Sequence, residues 1–159
     1  MNLREGEQIL KIYHHHPTPF VIQLLALMLG IFPFFLILFW MQGLLSTFWY
    51  VMSHIIVFLV FVLVITYFSL VFWLDKLIVT NQRVVFINWR TLTFKDESEA
   101  FLNDIQDIQS YERGIFSYFW VFDYGRIIIE TASSHTTILF SDAPDPEGIR
   151  QIIYHLRQQ

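Results

Sequence analysis

The feature that most constrains this chain is a long uncharged stretch, because no Asp, Glu, Lys or Arg occurs between Lys11 and Asp75. Within it, two apolar runs cover residues 20–41 and 51–74. Each has about the 20 residues that a helix needs to cross the roughly 30 Å hydrocarbon core of a bilayer. The sequence therefore predicts a hairpin of two membrane-spanning helices, the first of them kinked, not broken, at Pro33.

Basic residues near the ends of the two spans predict their orientation. Arg4 and Lys11 precede the first span, Lys76 and Arg83 follow the second, and the connector contains no Lys or Arg. Because short cytoplasmic loops are enriched in Lys and Arg, both termini are expected in the cytoplasm. The predicted organisation is a cytoplasmic N-terminal segment, a transmembrane hairpin and a cytoplasmic domain, over residues 1–19, 20–74 and 75–159.

Charge and cysteine content exclude several classes of protein. The net charge of −4 lies entirely in residues 75–159, which hold eight Lys or Arg against twelve Asp or Glu. Such a domain lacks the concentrated basic face that neutralises phosphates, so no nucleic-acid partner is expected. The chain contains no cysteine, which excludes disulfides and thiolate metal sites.

Short β-branched and aromatic segments after the second span predict strands. Residues 76–89 predict two strands joined at Asn81-Gln82, and Thr91 to Phe94 predicts the start of another, which ends in the charged turn "KDESE". Residues 100–111 predict two strands with a break near Asn103-Asp104. The segments "GRIIIETAS" and "HTTILFSD" predict a hairpin that turns at Ser133-Ser134.

The C-terminal segment "DPEGIRQIIYHLRQQ" predicts a helix. Asp145 is suited to the N-cap, Pro146 to the first helical position and Glu147 to the first turn. One apolar face follows, made of residues spaced by three and four: Ile149, Ile152, Ile153 and Leu156. The expected fold is thus a membrane α-helical hairpin followed by an α+β domain, a strongly bent antiparallel sheet or partial barrel that this helix closes.

Several segments resemble a known family. "DKLIVTNQRVVF", "DIQDIQSYERG", "DYGRIIIETAS" and "DPEGIRQIIYHL", with "EGEQIL" near the N-terminus, resemble the bacterial pleckstrin-homology-like (PH-like) domain in its two-span membrane form. The resemblance implies a multi-pass protein of the bacterial inner membrane. It implies little about activity, because many members of the family have no assigned ligand. Residues 115–124, the aromatic connection, are more aromatic than this family leads us to expect.

Two groups of residues are candidate contacts. The aromatic connection is rich in large rings that a small sheet cannot easily bury, so a partner contact and a core role are both open for Phe116, Tyr118, Phe119, Trp120 and Phe122. The basic residues near the membrane are candidate contacts to lipid headgroups: Lys76, Arg83 and Arg90. The tight "TNQR" turn leaves no pocket for a multiply charged headgroup, so specific phosphoinositide binding is not expected.

No motif indicates catalysis, a cofactor or a metal site. Consecutive His14, His15 and His16 point in different directions on an extended chain, which disfavours a shared tetrahedral ion. The sequence therefore favours a non-enzymatic, membrane-anchored module that docks a protein partner or forms a homo-oligomer at the membrane surface. The alternatives are a lipid-responsive module, and an accessory subunit of a membrane enzyme or transporter.

Overall fold

Contacts divide the chain into a helical unit and a β domain. A computed structural model describes residues 3–112, 123–132 and 137–158. The helical unit is Pro19–Leu70, and the β domain combines Met1–Thr18 with Val71–Gln159. The β domain is therefore discontinuous in sequence, and the helical unit is an insertion within it.

The inserted unit contains the two predicted helices. Helix α1 covers Pro17–Trp40 and continues through Pro33, and α2 covers Thr47–Leu74. A short 3-10 turn, Met41–Gly43, lies in the connector. Both helices are long and apolar enough to cross a membrane, and no residue of either is buried within the chain. The apolar side chains of both helices are thus not covered by the rest of the described chain.

The β domain contains two antiparallel sheets. The first has the order β1 (Ile9–Tyr13), β2 (Lys76–Thr80), β3 (Arg83–Trp89) and β4 (Lys95–Phe101), and the second has β5 (Ile105–Tyr111), β6 (Tyr124–Thr131) and β7 (Thr137–Pro144). The expectation of one strongly bent sheet is corrected, because the described strands form two sheets and no closed one. A 3-10 turn at Leu102–Asp104 ends the first sheet before β5 begins the second.

Strand β1 was not predicted from the sequence. It pairs antiparallel with β2, with Ile12 opposite Ile78 and Tyr13 opposite Leu77. The chain therefore leaves the sheet after β1, forms both helices and returns as the neighbouring strand. The N-terminal residues belong to the β domain and form one edge of its first sheet.

The chain after β3 differs from the sequence prediction, which placed the start of a strand at Thr91 to Phe94 and a turn at the charged residues that follow. Thr91 to Phe94 forms a tight turn in which the backbones of these two residues bond each other at 3.4 and 3.3 Å. The charged residues expected in a turn instead form β4, the other edge of the first sheet. An edge strand tolerates charged side chains, because one of its sides faces solvent.

The core lies between the first sheet, the second sheet and helix α3 (Pro146–Arg157). Ile149 and Ile153 of α3 are fully buried, which confirms the predicted apolar face. The Asp145 side chain accepts a hydrogen bond from the Gly148 amide at 2.9 Å, which confirms the predicted N-cap. Helix α3 thus packs on the second sheet, whereas it was expected to close a single bent sheet.

Candidate functional site

Arg83 lies inside the β domain. Its side chain is 7% exposed, and its Nε and Nη2 donate hydrogen bonds to the two carboxylate oxygens of Glu7 at 2.8 and 3.0 Å. Its Nη1 donates to Glu99. A contact to a lipid headgroup needs an exposed cation. The prediction that Arg83 contacts lipid headgroups is therefore corrected.

Glu7 and Arg83 form a buried ion pair that fixes the N-terminal segment to β3. The Glu7 carboxylate also accepts the Arg4 amide at 2.8 Å. The hydrogen bond from Arg83 is the main cause that lowers the pKa of Glu7 to about 2, against the opposing effect of burial. The pKa of Arg83 is raised, chiefly by its hydrogen bond to Glu7. Both groups are therefore charged at neutral pH.

Lys76 and Arg90 remain near the surface. Lys76 is half-buried at the start of β2. The side chain of Arg90 is 76% exposed and its Nε lies 3.0 Å from the Asp96 carboxylate. Such an exposed pair contributes little to stability, so Arg90 can exchange its partner without harm to the fold.

Two histidines join the chain before α1 to the chain after α2 and to β7. His15 Nδ1 lies 2.6 Å from the Ser141 carbonyl oxygen and therefore carries a proton, and its Nε2 lies 3.5 Å from the Asp75 carboxylate. The His16 amide donates to the Asp142 carbonyl at 2.7 Å. These residues, with Trp89, form what we call the hairpin base: His15, His16, Asp75, Trp89, Ser141 and Asp142.

His16 is neutral in this setting. Its ring stacks on Tyr124 with centroids 5.3 Å apart, and its Nδ1 accepts the Thr18 amide at 3.3 Å. Burial lowers the pKa of His16, against the opposing charges of Asp123 and Asp142. His15 and His16 therefore serve different partners. Among the described residues no group of three His, Asp or Glu side chains could hold a metal ion.

The turn between β3 and β4 lies at the same end of the sheet as the hairpin base. Lys76, the second residue after α2, pairs with Ile87 near the end of β3. The Asp75 carboxylate accepts the Trp89 amide at 2.6 Å. The turn that follows exposes two large apolar side chains, Leu92 at 40% and Phe94 at 70%. This exposed pair was not predicted, although its sequence "TLTF" alternates polar and apolar residues.

The aromatic connection lies largely outside the described residues. Its five predicted contacts all do: Phe116, Tyr118, Phe119, Trp120 and Phe122. The strands on either side end in contrasting tyrosines. Tyr111 is 53% exposed and its hydroxyl donates to Gln109 at 2.8 Å, whereas Tyr124 is 2% exposed. Strand β5 therefore ends at a surface tyrosine, and β6 begins at a buried one.

The helical unit contains an apolar cleft of about 800 Å³ between α1 and α2. One polar side chain, Gln23, lines it among residues such as Leu27, Gly30 and Val60. Ser53 and Thr66 of α2 instead donate to carbonyls of their own helix at 2.8 Å. The lining of the cleft is therefore almost entirely apolar.

No protein-family model and no curated protein matches the chain. Among solved structures, it is similar to a DUF1696 family protein with a pleckstrin-homology domain from Shewanella loihica PV-4, at 15% identity and a TM-score of 0.41, over 52% of this chain and 70% of that one. It is also similar to a pleckstrin-homology domain from Shewanella amazonensis SB2B, at 17% identity and a TM-score of 0.41, over 52% and 66% of the two chains.

Proposed function

We propose that this chain is a non-enzymatic, membrane-anchored interaction module of a bacterial inner membrane. The two-helix hairpin crosses the bilayer, and the β domain, which we take to be PH-like, docks a protein partner or a second copy of the chain at the cytoplasmic surface. The observation that carries the proposal is the insertion of two long apolar helices, without a buried residue, between two strands that pair with each other.

Strand pairing supports a hairpin with both ends on one side of the membrane, independently of charge. Tyr13, which three residues separate from α1, pairs with Leu77, which two residues separate from α2. Two strands of one sheet lie on the same side of a bilayer, so a hairpin between them has to enter and leave from that side. The Lys and Arg asymmetry then assigns this side to the cytoplasm.

Short connections keep the β domain close to the membrane. Only His14, His15 and His16 separate β1 from α1, and only Asp75 separates α2 from β2. The hydrogen bond that the Trp89 amide donates to Asp75, and the contact of the Asp75 carboxylate with His15 Nε2 at 3.5 Å, hold both connections to the sheet. We infer a domain that stays at the membrane surface, as a docking module requires.

The docking contact itself is assigned to the aromatic connection. Large rings supply much of the energy at protein interfaces, with Trp and Tyr prominent. Trp120→Ala is the sharpest variant, and Trp40→Ala, at an 84% exposed residue of α1, makes the same chemical change elsewhere. Both are compared with the unchanged full chain in nanodiscs.

Mass measurement and thermal unfolding on the same samples test the proposal. We expect Trp120→Ala to reduce self-association or the recovery of a co-purified protein, without a change in the unfolding of the β domain. Trp40→Ala should leave both unchanged. A Trp120→Ala protein that is destabilised yet fully associated would assign Trp120 to the core and contradict the docking contact.

A further inference from the structure

Two features place the end of α2 at the boundary between lipid and water, given the proposed anchoring. Trp73 is 73% exposed in the last turn of the helix, and Asp75 and Lys76 are the first charged residues after it. Amphipathic aromatic rings concentrate at this level of a bilayer. Residues bonded directly to Asp75 therefore lie at the level of the headgroups.

The turn between β3 and β4 is held at that level by hydrogen bonds. Asp75 accepts the Trp89 amide at 2.6 Å, so the turn begins one residue beyond a fixed point. Thr91 Oγ1 accepts the amides of Thr93 and Phe94 at 3.3 and 3.1 Å, which makes the turn compact. Its two apolar side chains, Leu92 and Phe94, are exposed at the surface of the β domain.

Charges flank this apolar pair in equal numbers. Within four positions of the pair in sequence, the cations are Arg90 and Lys95 and the anions are Asp96 and Glu97. Arg90 and Lys95 lie within 3.0 and 2.9 Å of Asp96 and Glu97. Electrostatic attraction to anionic lipid is thus largely cancelled, and any contact with the bilayer would depend on the apolar side chains.

We propose that residues 90–95 form a membrane-inserting turn that buries Leu92 and Phe94 in the interfacial layer of the lipid bilayer. This inference rests on the proposed anchoring. It adds a third attachment of the β domain to the membrane, beside the two chain connections to the helices. Because it is apolar, the attachment is insensitive to salt, unlike a headgroup contact through Lys76 and Arg90.

Single-cysteine labelling of the full chain in phosphatidylcholine nanodiscs tests the turn, because the chain has no cysteine of its own. Thr93→Cys places an environment-sensitive fluorophore between Leu92 and Phe94 and keeps both. Asn103→Cys is the control at the opposite end of β2 and β3, and Leu29→Cys reports on the first span. Each is measured with and without spin-labelled lipid, at low and high salt, with the spin label near the headgroup for residues 93 and 103 and on the acyl chain for residue 29.

We expect the label at residue 93 to lose about half or more of its emission to lipids spin-labelled near the headgroup, as for a group about 5–10 Å into the interface. The loss should be the same at high salt and should disappear when Leu92→Ser and Phe94→Ser are added. The label at residue 103 should not be quenched.

A label at residue 93 that is no more quenched than one at 103, with residue 29 strongly quenched, would overturn the inserting turn and leave the anchoring intact. Quenching at 93 that persists in the double serine variant would also overturn it. Failure of quenching at residue 29 would overturn the anchoring, and the inserting turn with it.

Discussion

Glu7→Gln is the sharpest perturbation of the β domain, because it removes one charge from a buried ion pair and preserves the shape of the side chain. The Glu7 side chain is fully buried and accepts two hydrogen bonds from Arg83 and one from the Arg4 amide. Removal of one partner from a buried pair costs roughly 3–5 kcal/mol. Since Glu99 still pairs with Arg83, we expect about 3 kcal/mol, or roughly 100-fold in the opening equilibrium.

Hydrogen exchange of the full chain in nanodiscs at neutral pH measures this effect locally. The amides of β1 and β2 should lose about 100-fold of their protection in Glu7→Gln, because the ion pair holds the N-terminal segment to β3. Glu5→Gln is the matched control, since it makes the same change at an exposed residue two positions earlier. Equal, small effects of the two substitutions would contradict the structural role of the pair.

Three further predictions concern the stability of the β domain. The pKa of Glu7 is lowered from 4.5 to about 2, so the stability that its charge contributes should be complete above about pH 4.5 and lost as the pH falls toward 2. Denaturant titrations of the unchanged chain at several pH values should show this loss, and those of Glu7→Gln should lack it. Ile153→Ala should cost about 2–5 kcal/mol in a denaturant titration, whereas the exposed Gln158→Ala should cost almost nothing, and similar values for both would place α3 outside the core. Gly125→Ala should destabilise the domain in the same titration, because the added Cβ would clash with the Tyr111 carbonyl oxygen; an unchanged midpoint would refute that close approach.

Features with a local cause were predictable from the sequence. The two apolar helices follow from their length and composition, and the N-cap of α3 follows from Asp145 and Pro146 in consecutive positions. The turn at Asn81-Gln82 is confirmed for a similar reason, since Asn81 is a turn former between two β-branched segments. In each of these cases the residues that decide the structure are neighbours in the chain.

Features that depend on distant partners were not predictable. Strand β1 pairs with β2 across both helices, and its sequence "ILKIY" is too short to identify a strand by itself. Arg83 was predicted to contact lipid headgroups because it follows the second span closely in the sequence. Its buried partner Glu7 precedes both helices, so local sequence could not identify it. Strand β4 was missed because its charges resemble those of a turn, and only its place at the edge of the sheet explains them.

Side-specific labelling of three single-cysteine variants in sealed, oriented membrane vesicles tests the central claim most directly. Glu5→Cys, Ser46→Cys and Asn103→Cys place one thiol in the N-terminal segment, the connector and the β domain. We predict that a membrane-impermeant maleimide reaches residues 5 and 103 from the same, cytoplasmic side and residue 46 only from the other. Labelling of residue 46 from the side that labels residue 103, or labelling of residues 5 and 103 from opposite sides, would contradict a hairpin inserted between paired strands.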